Sequence, residues 1–282
     1  MATFTNQARL SYNGSTTTSN VTTGELLEIL TATKAVISDG YTAGSGVVYA
    51  LTLLNTGTTA LNGLTVTDDL GAYTVGENTV YPLTYTDGTL KYFLNGVLQP
   101  TPTVTTTSPL SLSSINLPAG GAAVILYEAT ANGYAPLAEG SLIVNTATFA
   151  GDGIAEPITA TATVGALTET ALTIAKAICP AVVSDNGQLT YTFIIQNSGN
   201  APAAADANVV ISDVFTPALQ GITVTLDSAP FPATSYTYDE ATGEFATNPG
   251  SITVPAATYT QSETGEITVT PGVTVLTVTG TV

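Results

Sequence analysis

Alternation with a period of two, sustained in segment after segment rich in Val, Thr, Ile and Tyr, is what most constrains the fold of this 282-residue chain. Such alternation lines one face of an extended strand with apolar side chains, and clusters such as NTGTTALNG, TDG and NPG interrupt it with turn residues. Helical spacing is nearly absent. Its best candidate, GELLEIL at positions 24–30, leads more naturally into a strand. The pattern predicts an all-β protein, and the length allows two domains, each burying its own core.

An internal repeat supports that division. TATKAVISDG, VVYALTLLNTG and LNGLTVTDDL in the first half align with TIAKAICPAVVSDNG, LTYTFIIQNSG and ANVVISDVF in the second. Lys34 precedes Asn55 by 21 positions (55 − 34), and Lys176 precedes Asn197 by 21 (197 − 176). Asp68 aligns with Asp213, and LPAGGAAVILYEATA aligns with TPGVTVLTVTGTV, where the second copy stops. The first copy continues into SLIVNTATFAG. The strand missing from the second copy has its look-alike at the other end of the chain, in TNQARLSYNG at Thr5–Gly14. We therefore expect two tandem immunoglobulin-like β-sandwiches. Residues 1–14 would be a donor strand, 15–24 a linker, 25–150 the first domain, 151–168 a linker, and 169–282 a second domain lacking its last strand.

Composition then narrows the chemistry. The chain has no His, one Cys, one Met, no Trp and four basic residues, Arg9, Lys34, Lys91 and Lys176. Histidine-based triads and His-ligated metals are excluded. A net charge of −17 repels nucleic acid and anionic lipid, so neither is an expected partner. No run of 18 apolar residues offers a membrane span. The N-terminus lacks the basic, apolar and small-residue order of a secretory leader, as expected of a leaderless protein or of a mature form with an added Met. Cys179, before Pro180, reads as an inert small hydrophobe.

Residues two apart in a strand share a face, so apolar neighbours identify polar groups that point inward. Lys34 lies with Leu30, Ala32 and Val36, and Lys176 with Leu172, Ile174 and Ile178. Asp68 lies with Leu64, Val66 and Leu70, and Asp213 with Val209, Ile211 and Phe215. Asn145 shares its face with Ala147 and Phe149, and Asn6 with Ala8, Leu10 and Tyr12, the expected anchors of the donor strand. Each copy thus turns one Lys, one Asp and one Asn inward, if Asn6 serves the second. Unpaired buried charges cost several kcal/mol, so the recurrence of such a trio points to chemistry. Burial makes a Lys amine neutral and nucleophilic and keeps a carboxyl protonated. Attack of that amine on the Asn carboxamide, with Asp68 or Asp213 as the promoting acid, expels ammonia and leaves an amide cross-link. The expected links are Lys34 to Asn145 within a subunit and Lys176 to Asn6 between subunits.

Other polar residues read differently. Asn55 and Asn197, in NTG and NSG, are turn residues. Glu128 is an alternative acid, but it aligns with Thr279. Asp68 and Asp69 fall on opposite faces, and no loop has the alternating oxygen pattern of a Ca²⁺ site, so no metal or cofactor is expected.

Lys34, TVTDDL with Asp68 and VNTATF with Asn145, then Lys176, VISDVF with Asp213 and TNQARL with Asn6, resemble the repeats called domain of unknown function eleven. These occur in surface proteins of Gram-positive bacteria and archaea, and they are similar to isopeptide-forming pilin and adhesin domains. The resemblance covers most of the chain and implies an extracellular or cell-surface location. It departs from the family in the second repeat's missing last strand. The leading expectation is a structural subunit of a pilus-like filament, self-assembled head to tail by donor-strand complementation. Its partners would be identical subunits, and its only chemistry autocatalytic isopeptide formation rather than turnover as an enzyme. The alternative is a surface adhesin that binds a host protein or glycan through loops at the sandwich ends.

Overall fold

A computed structural model describes residues 2–26 and 29–282, and these form antiparallel strands joined by short loops and two single-turn 3₁₀ segments. Two sandwiches follow one another, each with its own core. That of the first is built around Tyr49, Leu51, Leu64, Tyr127 and Phe149, and that of the second around Phe193, Phe215, Phe245, Leu276 and Val278. No helix among the described residues is long and apolar enough to cross a membrane.

The first sandwich sets the Lys34 strand (Leu30–Val36) at the edge of a six-stranded sheet, beside the Tyr49 strand (Gly46–Asn55) and then the Tyr127 strand (Ala122–Ala131). The facing sheet has five strands. At its centre the Asp68 strand (Leu61–Asp68) lies between Leu110–Leu117 and the Asn145 strand (Leu142–Ala150), and Ile158–Gly165 closes the edge. That closing strand, ITATATVG, alternates small residues inward with Thr outward, pairs Ala162 with Asn145, and packs on the Lys34 strand. The expected linker at 151–168 is corrected accordingly. Only 151–157 turns, and the first sandwich runs on to Gly165, with Ala160 and Ala162 of the closing strand buried.

The second sandwich repeats the first sheet faithfully. Its Lys176 strand (Leu172–Cys179) pairs with the Tyr191 strand (Gln188–Asn197), which pairs with Gly272–Thr281. Asn55 and Asn197 anchor equivalent loops in the two copies. Both are fully buried, and each donates its side-chain amide to loop carbonyls while accepting a backbone N–H from the glycine two residues on. The facing sheet differs. It has three strands, with the Asp213 strand (Ser212–Val214) paired on one edge to Glu244–Thr247 and, among the described residues, to no strand on the other. Among the described residues no strand occupies the places held in the first sandwich by the Asn145 strand and by its closing strand, two places where one was expected.

Residues 4–24 enter neither core. Ala2–Asn6 pairs with Thr22–Leu26 and Arg9–Tyr12 with Ser15–Thr18, around a turn at Asn13–Gly14 where both residues have positive φ (45° and 80°). Asn-Gly supplies the left-handed geometry that a two-residue hairpin turn demands. The segment 15–24, expected to be a linker, is therefore the return arm of a hairpin. Leu27 and Glu28 of the GELLEIL segment lie outside the described residues.

Candidate functional site: a buried Lys, Asp, Tyr and Asn cluster

The Asp68 strand ends in a turn that holds its carboxylate in place. Asp68 Oδ1 accepts the backbone N–H of Leu70 at 3.0 Å, and the chain reverses through Leu70 (φ 53°) and Gly71 (φ 73°). The other oxygen, Oδ2, points into the core. It accepts hydrogen bonds from Lys34 Nζ at 2.6 Å and from Tyr127 Oη at 2.6 Å. Tyr127 Oη in turn accepts from Asn145 Nδ2 at 3.3 Å. The three residues expected from strand faces, Lys34, Asp68 and Asn145, thus belong to one network from three strands, with Tyr127 as the link between acid and amide. Asp69, on the opposite face, is occupied with the backbone N–H groups of Gly71 and Thr146. Glu128, one residue from Tyr127, faces the other side of its strand and is only half-buried.

The cluster is dry. The side chains of Lys34 and Asp68 are 0% and 1% exposed, and Asn145 is fully buried. Burial pulls the Lys34 ammonium below the ordinary lysine range, against the opposing attraction of Asp68. Burial, reinforced by Asp68, pushes the Tyr127 phenol well above its ordinary value, so it keeps its proton and donates. Tyr49 stacks on Tyr127 with ring centroids 5.5 Å apart and lies 4.8 Å from Lys34 Nζ. Its phenol is also pushed up by burial, an effect the Asn145 side chain beside it counteracts. Even so, neither Tyr49 Oη nor Asn145 Oδ1 has a hydrogen-bond partner of good geometry. A buried carbonyl oxygen left without a donor costs about 1–3 kcal/mol. The arrangement sets an amine inclined to lose its proton, a carboxylate to take it, and a carboxamide with an unpaired carbonyl oxygen inside one core shielded from bulk solvent.

Tyr127 escaped the sequence reading because a Tyr on the inward face of a strand looks like any core aromatic. Its only signal was its pairing partner: Tyr127 lies opposite Tyr49, whereas the matching pair in the second copy is Val278 opposite Tyr191.

The second copy brings Lys176 and Asp213 into the corresponding ion pair, but in the open. Their side chains are 41% and 20% exposed. No tyrosine hydroxyl joins them. Instead the Lys176 ammonium sits over Tyr191, with Phe193 and Phe215 alongside, 4.4, 5.5 and 5.6 Å from the ring centroids. The apolar residues expected to share its buried face, Leu172, Ile174 and Ile178, are exposed, because the strands that cover the Lys34 strand have no counterpart here. Cys179, read as an inert small hydrophobe, is an exposed free thiol for the same reason. Asn6, the expected partner of Lys176, lies exposed on the hairpin, as do the anchors Leu10 and Tyr12. Ala8 falls at the interruption between the two ladders.

Among solved structures the chain is similar to the pilus backbone protein of Streptococcus pneumoniae, at 13% identity and a TM-score of 0.35 over 90% of this chain and 49% of that one. It is similar to the major pilin subunit of Bacillus cereus, at 12% identity and 0.34 over 95% and 73%. It is similar also to the full-length major pilin of Corynebacterium diphtheriae, at 11% identity and 0.37 over 85% and 58%. The chain spans about half the length of the first of these. No protein-family model and no curated protein sequence matches it.

Proposed function

We propose that the protein is a structural subunit of an extracellular, pilus-like fibre, stiffened by a Lys34–Asn145 amide link within each subunit. Subunits join head to tail when the N-terminal segment of one completes the second sandwich of the next, bringing Asn6 to Lys176. The observation that carries this reading is the contrast between the copies. The same Lys–Asp pair is sealed under an Asn-bearing strand in the first sandwich and lies open in the second, while a segment with the missing strand's pattern is exposed. A head-to-tail contact that does not close on itself propagates a filament.

In the first sandwich one proton of the Lys34 ammonium passes to Asp68, and the neutral amine attacks Cγ of Asn145. A second amine proton reaches Nδ2 through Tyr127, whose hydroxyl touches both Asp68 and Asn145. The Cγ–Nδ2 bond breaks and ammonia leaves. One carbon–nitrogen bond forms and one breaks, with no oxidant, cofactor or second turnover. Because the first proton moves from Lys34 to Asp68 inside the core and the pair as a whole neither gains nor loses one, the rate of cross-linking should depend little on solution pH around neutrality. Intact-mass time courses for chain folded at about pH 6 and at about pH 8 should agree within about twofold. A rate that rises about tenfold per pH unit over that range contradicts Asp68 as the acceptor and points to proton loss to solvent.

Assembly is tested by deletion. Full-length protein should form filaments visible by negative-stain microscopy, and removal of residues 1–14 should abolish them while both sandwiches stay folded. Filaments of unchanged repeat after that deletion overturn the reading.

A further inference from the structure

Resting on the head-to-tail reading above, we propose that the donated element is a two-stranded hairpin, residues 2–26, whose return arm covers the Lys176 strand of the next subunit. A single strand added at the free edge of the Asp213 strand would fill only the place of the Asn145 strand. The Lys176 strand would stay uncovered, because in the first sandwich its counterpart is covered by the closing strand Ile158–Gly165. The difference is large: Leu30 is 1% exposed and its counterpart Leu172 is 38% exposed.

The N-terminal hairpin has the form of the missing pair. Asn145 lies opposite Ala162 in the first sandwich, and Asn6 lies opposite Thr22 in the hairpin. Residues directly opposite in an antiparallel pair share a face. One face of the hairpin therefore carries Phe4, Asn6, Leu10 and Tyr12, with Gly24, Thr22, Thr17 and Ser15 across from them. The other carries Thr5, Arg9, Ser11, Thr23, Thr18 and Thr16 and is wholly polar. Phe4, Leu10 and Tyr12 of the first face stand in solvent, at 58%, 60% and 62% exposed. Sizes also compensate across the pair. Phe4 and Gly24 stand where the first sandwich has Ile143 and Val164, and the Phe4 ring lies where a Cβ on residue 24 would sit.

The first sandwich dictates the register. Asp68 lies opposite Ala147 and Val66 opposite Phe149, so Asp213 should lie opposite Ala8 and Ile211 opposite Leu10. Asn6 then projects toward Lys176. Arg9 falls opposite Ser212, on the outer face that Glu244 shares across its pairing with Val214. Charge favours this seat. Residues 169–282 hold ten acidic side chains against Lys176 alone, and the hairpin brings the chain's one arginine.

Aspartate substitutions on the return arm test the proposal, because 15–26 is an idle tether if one strand suffices. Thr17→Asp and Thr22→Asp place a carboxylate on the face to be buried, and each should slow filament assembly about tenfold or more. Thr16→Asp and Thr23→Asp add the same charge to the outer face and should stay within about twofold of the unmodified chain. All four sites are exposed on the free hairpin, and circular dichroism should show both sandwiches folded in every variant. Hydrogen exchange supplies a second measurement: amides of 15–26 and of the Lys176 strand should become protected together in filaments. Filaments that tolerate all four substitutions, or suffer equally from all four, overturn the two-stranded donor while leaving head-to-tail assembly in place. An unmodified chain that forms no filaments overturns both.

Discussion

Full-length protein carrying Asn6→Ala, which prevents any link between subunits, is expected to weigh roughly 17 Da less than its sequence mass, the loss of one ammonia from the first sandwich. Adding Lys34→Ala, Asn145→Ala or Asp68→Ala should restore the full mass. On the proposed reading the lysine and asparagine are the two ends of the bond, and without Asp68 the buried ammonium has no acceptor for its proton. The proposed link would span 111 positions (145 − 34), and a cross-link of that span contributes on the order of 5 kcal/mol by the chain-entropy estimate. For a domain of this size that is about 15–20 °C in the first sandwich's melting transition. Asn145→Ala is the cleanest comparison because it leaves the Lys34–Asp68 pair intact. Removing either partner of that pair adds roughly 3–5 kcal/mol of its own by stranding a buried charge. A sequence-exact mass for the Asn6→Ala protein, with no peptide joining Lys34 to Asn145, rejects the link.

Wild-type filaments boiled in detergent should run as a ladder of covalent multimers, whereas strands held only by hydrogen bonds separate under the same treatment. Asn6→Ala and Lys176→Ala should each reduce the ladder to monomer without abolishing filaments, since Leu10, Tyr12 and the backbone ladder of the donated hairpin remain. Asp213→Ala should do the same by removing the proton acceptor. The second site has Val278 in the place of Tyr127 and lies open to solvent, so on the proposed reading its link should form only after assembly has covered it. Unassembled subunits should therefore carry the first link alone. A ladder that survives Lys176→Ala means that another pair makes the bond, and a monomer band from wild-type filaments means that none does.

Much of this was legible in strand faces. Alternation put Lys34, Asp68 and Asn145 on inward faces, and the equal spacing of Lys34 to Asn55 and Lys176 to Asn197 marked the repeat. Both inferences rest on local geometry, in which residues two apart share a side whatever lies beyond the strand. The return arm of the hairpin and the closing strand were read as linkers. Ser15–Thr18 and Thr22–Leu26 show little apolar alternation, and GDGIAEP before Ile158 looks like a domain boundary. A strand that buries only alanine and threonine carries a weak signal, because its partner supplies most of the apolar area.

The sequence by itself determined the class of fold, the two-fold repeat and the pairing of each lysine with an aspartate, since these follow from side-chain period and matched spacing. Which of those pairs is dry was decided only by tertiary structure. Lys34 and Lys176 occupy the same place in near-identical strands, yet one is sealed and the other open. Desolvation belongs to whatever covers a residue, not to the residue or its strand. Here that cover consists of two strands more than a hundred positions further along the chain for Lys34, and for Lys176, on our reading, of a hairpin from another molecule.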